Sequence, residues 1–201
     1  MSHVLWLCYK ACQYYSHELP PRQMRALLIA ALFHDFDHTG RPHRGDEDPD
    51  GINIEIAISG LRRYLTSDDR ALMPEIETLI EATHFPYNAD SQKLDLVRKI
   101  IRDADLAQAL SPVWIQQVVI GLARESGVSP LAMLKAQSSF LTSLRFNTPW
   151  AQQLFPQELI DAKIAEAEQL RRLLESPIDR PRKAPDSTTD KLEVEHFASQ
   201  S

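Results

Sequence analysis

The chain has 201 residues, 43% of them hydrophobic, which suits one domain with a buried core, or such a domain with a tail. Aromatic content of only 7% and just six glycines argue against a β-sandwich or barrel built on many tight turns. A net charge of −6 with no basic stretch excludes a nucleic-acid surface, but leaves small phosphorylated ligands open, because a bound metal ion supplies positive charge locally.

Helical periodicity runs almost throughout and strand alternation is nearly absent, so the expected fold is all-α, a compact multi-helix bundle. A first helix is expected over residues 2–17, ending before Pro20-Pro21, and an apolar, central one over 22–37. A polar loop over 39–51 carries Gly40, Pro42, Gly45, Pro49 and Gly51, which should prevent helix continuation. Further helices are expected over 52–65, 68–83 and 91–110. Ser111-Pro112, Ser129-Pro130 and Thr148-Pro149 each pair a capping hydroxyl with proline at a first helical position. The stretch 149–175 should end in a charged amphipathic helix, whereas 177–201 is polar and proline-rich and reads as a disordered tail. The domain is therefore placed at 1–176 and the tail at 177–201.

Cys8 and Cys12 fall i,i+4 on the first helix, where a disulfide would close almost no loop; they read as buried thiols of a reducing compartment. No stretch resembles a signal peptide, and the longest apolar run, 26–33, is too short to span a bilayer. A cytoplasmic protein without a membrane partner is expected.

The chemistry concentrates at the end of the apolar second helix. Three of the seven histidines, His34, His38 and His43, lie within ten residues, and His34-Asp35-Phe36-Asp37-His38 puts several polar groups at the core's edge. Each costs free energy there unless paired or bound to metal. On a continuing helix His34 and His38 would share a face, with Asp35 rotated by about 100° from His34. A hydrogen-bonded helix end accounts for one histidine; for His34-Asp35 with two more such groups within a turn, metal ligation is the better account. Mixed imidazole and carboxylate donors suit Mg²⁺, Mn²⁺, Zn²⁺ or Fe²⁺, one ion or two.

That string resembles the HD superfamily of metal-dependent phosphohydrolases, named for the dipeptide. The resemblance implies a further histidine ligand one helix upstream, His3, and an aspartate downstream, Asp105, within Arg102-Asp103-Ala104-Asp105; Asp103 is the lesser candidate. The resemblance is closest to the class I cyclic-nucleotide phosphodiesterases. Their His-Asp-x-Asp-His-x-Gly is reproduced from His34 to Gly40, Asn53-Ile54-Glu55-Ile56-Ala57 matches the segment that follows, and Thr83 matches their Ala-Thr-Asp motif. Gln137-x-x-Phe140 ahead of Pro149-Trp150 is similar to their nucleotide pocket, which implies that Gln137 bonds the purine edge and Phe140 packs on its face. Gln108 stands where a purine-contacting asparagine is expected. The chain departs from the family in lacking a Tyr-His-Asn triplet ahead of His3, the source of the family's general acid, and in lacking its His-His pair.

The implied ligands are thus His3, His34, Asp35 and Asp105, with Asp35 able to bridge to a second ion. The implied catalytic residues are Asp35, His38, which would hydrogen-bond water near the ions with Glu55 beside it, and His84, a substitute acid because imidazole titrates near neutrality. A lone histidine at a helix end is more often structural, and His43 in its charged loop is more often solvated. The expected function is a metal-dependent phosphohydrolase, a phosphodiesterase acting on a (cyclic) nucleotide. The alternatives are an HD-type nucleotidase or phosphatase on another phosphorylated metabolite, and a catalytically inert nucleotide-binding helical domain.

Overall fold

The structure, a computed structural model, describes residues 3–38, 49–85, 87 and 93–176. Among them every regular element is helical and none is a strand, so the all-α bundle expected from periodicity is what the chain forms. Residues 39–48, with His43, and the expected tail 177–201 lie outside the described residues.

Helix α1 (His3–Tyr14) buries Val4, Leu7, Cys8 and Ala11, an i, i+3, i+4, i+7 stripe. Helix α2 (Pro21–Phe33) opens on a proline whose missing N–H would have no helical partner anyway, and buries Ala26, Leu27, Ala30 and Ala31. Helix α3 (Pro49–Tyr64) starts three residues earlier than the sequence suggested, because Pro49 initiates it and Gly51 is absorbed in its first turn. The expected helix over 68–83 divides into a 3₁₀ segment (Ser67–Leu72) and α4 (Met73–Glu81), the break falling where Pro74 enters α4. Helix α5 (Leu96–Leu106) is capped by Asp95, whose side chain accepts from the Arg98 N–H at 2.9 Å, and it tightens into a 3₁₀ turn over Ala107–Leu110.

Two of the three Ser/Thr-Pro starts act as caps. Ser129 Oγ accepts from the Ala132 N–H at 3.1 Å to open α7 (Pro130–Ser143), and Thr148 Oγ1 accepts from Ala151 at 3.2 Å to open α8 (Pro149–Leu154). Ser111 instead accepts from Val113 at 3.3 Å within a turn, and the helix that follows is a π segment (Ile115–Leu122) running into the short α6 (Ala123–Glu125). The chain ends its described part in α9 (Gln157–Glu175).

Helix α1 packs on α2 and α5, and α2 packs on α3, α4 and α5, so α2 is the central helix; α7 pairs with α9. Leu7, Leu27, Leu61, Ile76, Ile100 and Ile101 are fully buried where these helices meet, and their contact area with water is what folding removes. Cys8 and Cys12 are free and buried. Among the described residues no single helix is long and apolar enough to cross a membrane.

Candidate metal centre

The apolar helix α2 ends at Phe33, earlier than periodicity suggested, and the polar residues that follow leave the helix path. His34 closes it: its backbone N–H still reaches Ala30 O at 2.8 Å, but residues 34–37 form turns and Asp37 takes a left-handed φ of +54°. His34 and His38 therefore do not share a helical face. His34 points inward, only 5% exposed, while His38 is exposed and its Nε2 meets Asn53 Nδ2 on α3 at 3.0 Å.

The inward histidine is oriented by its own helix. Its Nδ1 lies 3.1 Å from Ala31 O; a carbonyl can only accept, so Nδ1 carries a proton and Nε2 is the nitrogen turned to the site. That Nε2 is buried, 3.1 Å from Asp35 Oδ2 and 3.7 Å from Asp105 Oδ1, yet makes no well-aligned hydrogen bond among the described residues. One donor atom from each of His34, Asp35 and Asp105 lies within 4.8 Å of the others. The Asp35 side chain is 56% exposed and that of Asp105 27%, so the cluster opens to solvent on its acidic side.

Electrostatics favour a cation at this point. Burial disfavours an imidazolium at His34, but the adjacent Asp105 and Asp35 carboxylates outweigh it and push its pKa up to about 10. Burial raises the Asp105 carboxyl, with Asp35 and Asp50 adding repulsion and His34 only partly offsetting it. At Asp35 burial also pushes up, but His34 and His38 prevail and the carboxyl is lowered. An imidazole nitrogen buried against two carboxylates is a donor set fitted to one or two divalent cations, which would replace the proton that these carboxylates otherwise favour on it.

A model of the HD domain matches residues 2–110, more than half of the chain. The chain belongs to the HD-domain family. It is thus a member of a superfamily of metal-dependent phosphohydrolases, with the His-Asp pair and the downstream aspartate assembled as a triad. No curated protein and no solved structure gives a significant match.

Around this HD-domain triad the structure distributes the other candidates unevenly. His3, half-buried at the start of α1, stacks on Trp6 with ring centroids 6.3 Å apart and stands outside the triad; its Nδ1 is buried and unpartnered among the described residues. Asp103, two residues before Asp105 on α5, is fully buried and accepts four hydrogen bonds: from Asn147 N and Nδ2 at 2.8 and 2.9 Å, and from Thr148 N and Oγ1 at 2.8 and 2.7 Å. It ties α5 to the cap of α8 and has no acceptor left to share. His84 lies half-buried just after α4, and Glu55 is exposed on α3.

The residues expected to read a base separate from one another. Phe140 on α7 lines a cavity of about 260 Å³ and meets Phe85 edge-on at 6.1 Å. Gln137 is buried with its Oε1 unpartnered among the described residues, and neither it nor Gln108 lines that cavity.

The cavity sits beside the triad. Leu106, next to Asp105, forms part of its wall, and Asp105 is close enough to Tyr87 in the same wall to help burial raise the phenol's pKa. Its polar wall, Arg102 and Tyr87, was not singled out from the sequence. Arg102 stood inside a recognised motif, but its contact with Tyr87 has no periodic signature. Asp50 was also missed: it accepts from the Phe85 N–H and bears on Asp105 electrostatically, although the sequence shows only an acidic run.

Proposed function

We propose that this HD domain hydrolyses the phosphoester of a nucleotide, with a cyclic nucleotide as the leading specific substrate. The observation that carries this reading is the aromatic cavity beside the triad, with Phe140 and Phe85 in its wall. Aromatic faces next to a cation-binding cluster suit a ligand that is a flat ring at one end and a phosphate at the other.

In this reading His34, Asp35 and Asp105 would hold a divalent cation, with Asp35 able to serve a second and His3 a further candidate ligand. Divalent cations bound there neutralise phosphate charge and lower the pKa of water. Ala31 O accepts from Nδ1 and fixes the ring's orientation, so Nε2 is aimed at the site and would give up its proton to an incoming cation. His38, held by Asn53, would hydrogen-bond water near the ions, and His84 would be the donor to the leaving oxygen.

The test is direct. Metal analysis of the purified chain should find a divalent cation, lost in Asp35→Ala; a metal-free, catalytically silent wild type would sink the reading. Cyclic AMP, cyclic GMP and 5′-nucleotides, assayed with Mn²⁺ or Mg²⁺, should give turnover of the cyclic esters first. Turnover of monophosphates alone would favour the nucleotidase alternative. Binding without turnover of any ester would favour an inert nucleotide-binding domain.

A further inference from the structure

The cavity beside the triad holds a buried charge that its own walls do not neutralise. Arg102 is only 5% exposed, yet no carboxylate lines the cavity among the described residues. Its Nε donates to Ala82 O at 2.6 Å, at the C-terminal end of α4, and its guanidinium lies over the Tyr87 ring at 4.3 Å. These two contacts fix the plane of the group and leave Nη1 buried without a partner. The Tyr87 hydroxyl, in the same wall, is likewise buried and unpartnered among the described residues. A second cation, Arg145, stands on the rim with Nη1 held by the carbonyls of Thr142 and Leu144.

A buried guanidinium without a counter-charge is costly, and the natural complement is an oxyanion that accepts from both Nη1 and a phenol. A cationic ligand would meet two arginines, and a wholly apolar one would leave both donors unsatisfied. The neighbouring triad is acidic and fitted to cations, so two adjacent sites carry opposite preferences.

We propose that this cavity binds a second oxyanion of the substrate, a phosphate or carboxylate distinct from the ester being cleaved, through Arg102, Tyr87 and Arg145. The proposal rests on the phosphohydrolase reading for the words "of the substrate", but the anion site itself stands on the wall residues alone. Among nucleotides, one that carries an extra anionic group should then bind more tightly than the corresponding monophosphate.

The experiment uses the full chain stripped of metal, and Asp35→Ala to disable the triad, with inorganic phosphate as probe in a calorimetric titration at low salt. Wild type and Asp35→Ala should both bind phosphate, and Arg102→Gln should weaken it by about tenfold or more. Absence of binding in Asp35→Ala, or equal binding in a folded Arg102→Gln, overturns the anion site. Should Arg102→Gln not fold, Tyr87→Phe keeps the stacked ring and removes only the hydroxyl, and Arg145→Gln removes the rim charge. Both should bind phosphate several-fold more weakly, and unchanged affinity in both overturns the site. A nucleoside 3′,5′-bisphosphate should then bind Asp35→Ala about tenfold tighter than the 5′-monophosphate, a difference that disappears without the Arg102 charge. Equal affinities overturn the assignment to substrate and leave free phosphate as the occupant. None of these readouts requires turnover, so a failed hydrolysis assay and a failed anion site remain separate results.

Discussion

Asp103 and Asp105 stand two residues apart on one helix and lead opposite lives. Asp103 is sealed from water and has every acceptor filled by Asn147 and Thr148. Asp105 is part-exposed, faces the His34 imidazole and repels two other carboxylates. One holds α5 against α8; the other is left unsatisfied where a cation can satisfy it. A carboxylate's role is thus read from its unspent acceptors rather than from its burial, since both carboxyls are pushed up by desolvation.

The sharpest way to break this contrast is to exchange the losses. Asp105→Asn should reduce turnover by on the order of 10³-fold or more and release metal, while the melting temperature stays close to that of wild type. Kinetics, metal analysis and thermal denaturation measure the three. Asp103→Ala should do the reverse: four donors, the two of Thr148 buried and the two of Asn147 part-buried, lose their acceptor at a cost of about 3–5 kcal/mol, and the midpoint should fall by roughly 10 °C with the metal still bound. A metal-free but fully stable Asp103→Ala would invert the assignment.

A weaker disturbance reaches the triad through packing. A Cβ on Gly60 would come 2.3 Å from Cδ1 of Phe36, the residue that follows Asp35. Gly60→Ala should therefore cost about 1–3 kcal/mol and lower metal affinity by displacing Phe36; unchanged affinity would show that Asp35 is held independently of α3. The smallest effect concerns the thiols behind the site. Burial pushes Cys12 up to about 11 and Cys8 well above the usual range, Asp105 contributing to the latter. Both should resist alkylation near pH 8 until the protein unfolds. Between the ordinary thiol range and about pH 11 the folded state keeps protons that the unfolded state releases, so stability should fall as pH rises there. Labelling as fast as in denaturant would contradict their burial, and Asp105→Asn should lower the Cys8 value slightly.

Much of the fold was legible because proline and capping side chains act locally. Ser129 and Thr148 do their work within one turn of themselves, whereas Pro49, read as a loop residue, opens α3. Ser111 did not cap because a serine before proline is equally at home in a turn, and the π segment after it has no sequence signature. In the site, His34, Asp35 and Asp105 were recognisable from the resemblance, and the family match covers all three. The stacking of Arg102 on Tyr87 was not, because it joins residues fifteen apart that share no periodic face. Gln137 and Phe140 illustrate the same limit: i,i+3 spacing puts both on one side of α7, but which of them reaches the cavity depends on the packing of neighbouring helices.

The left-handed φ of Asp37 gives the shared string a different grammar. Aspartate enters that backbone region more readily than branched or bulky residues do. Its place between Phe36 and His38 marks where a helical path is abandoned, so that one imidazole is kept inside and the next is sent towards Asn53. Of the string's two acids, one is a ligand word and the other a punctuation mark. Its contribution to chemistry is the direction in which the chain leaves.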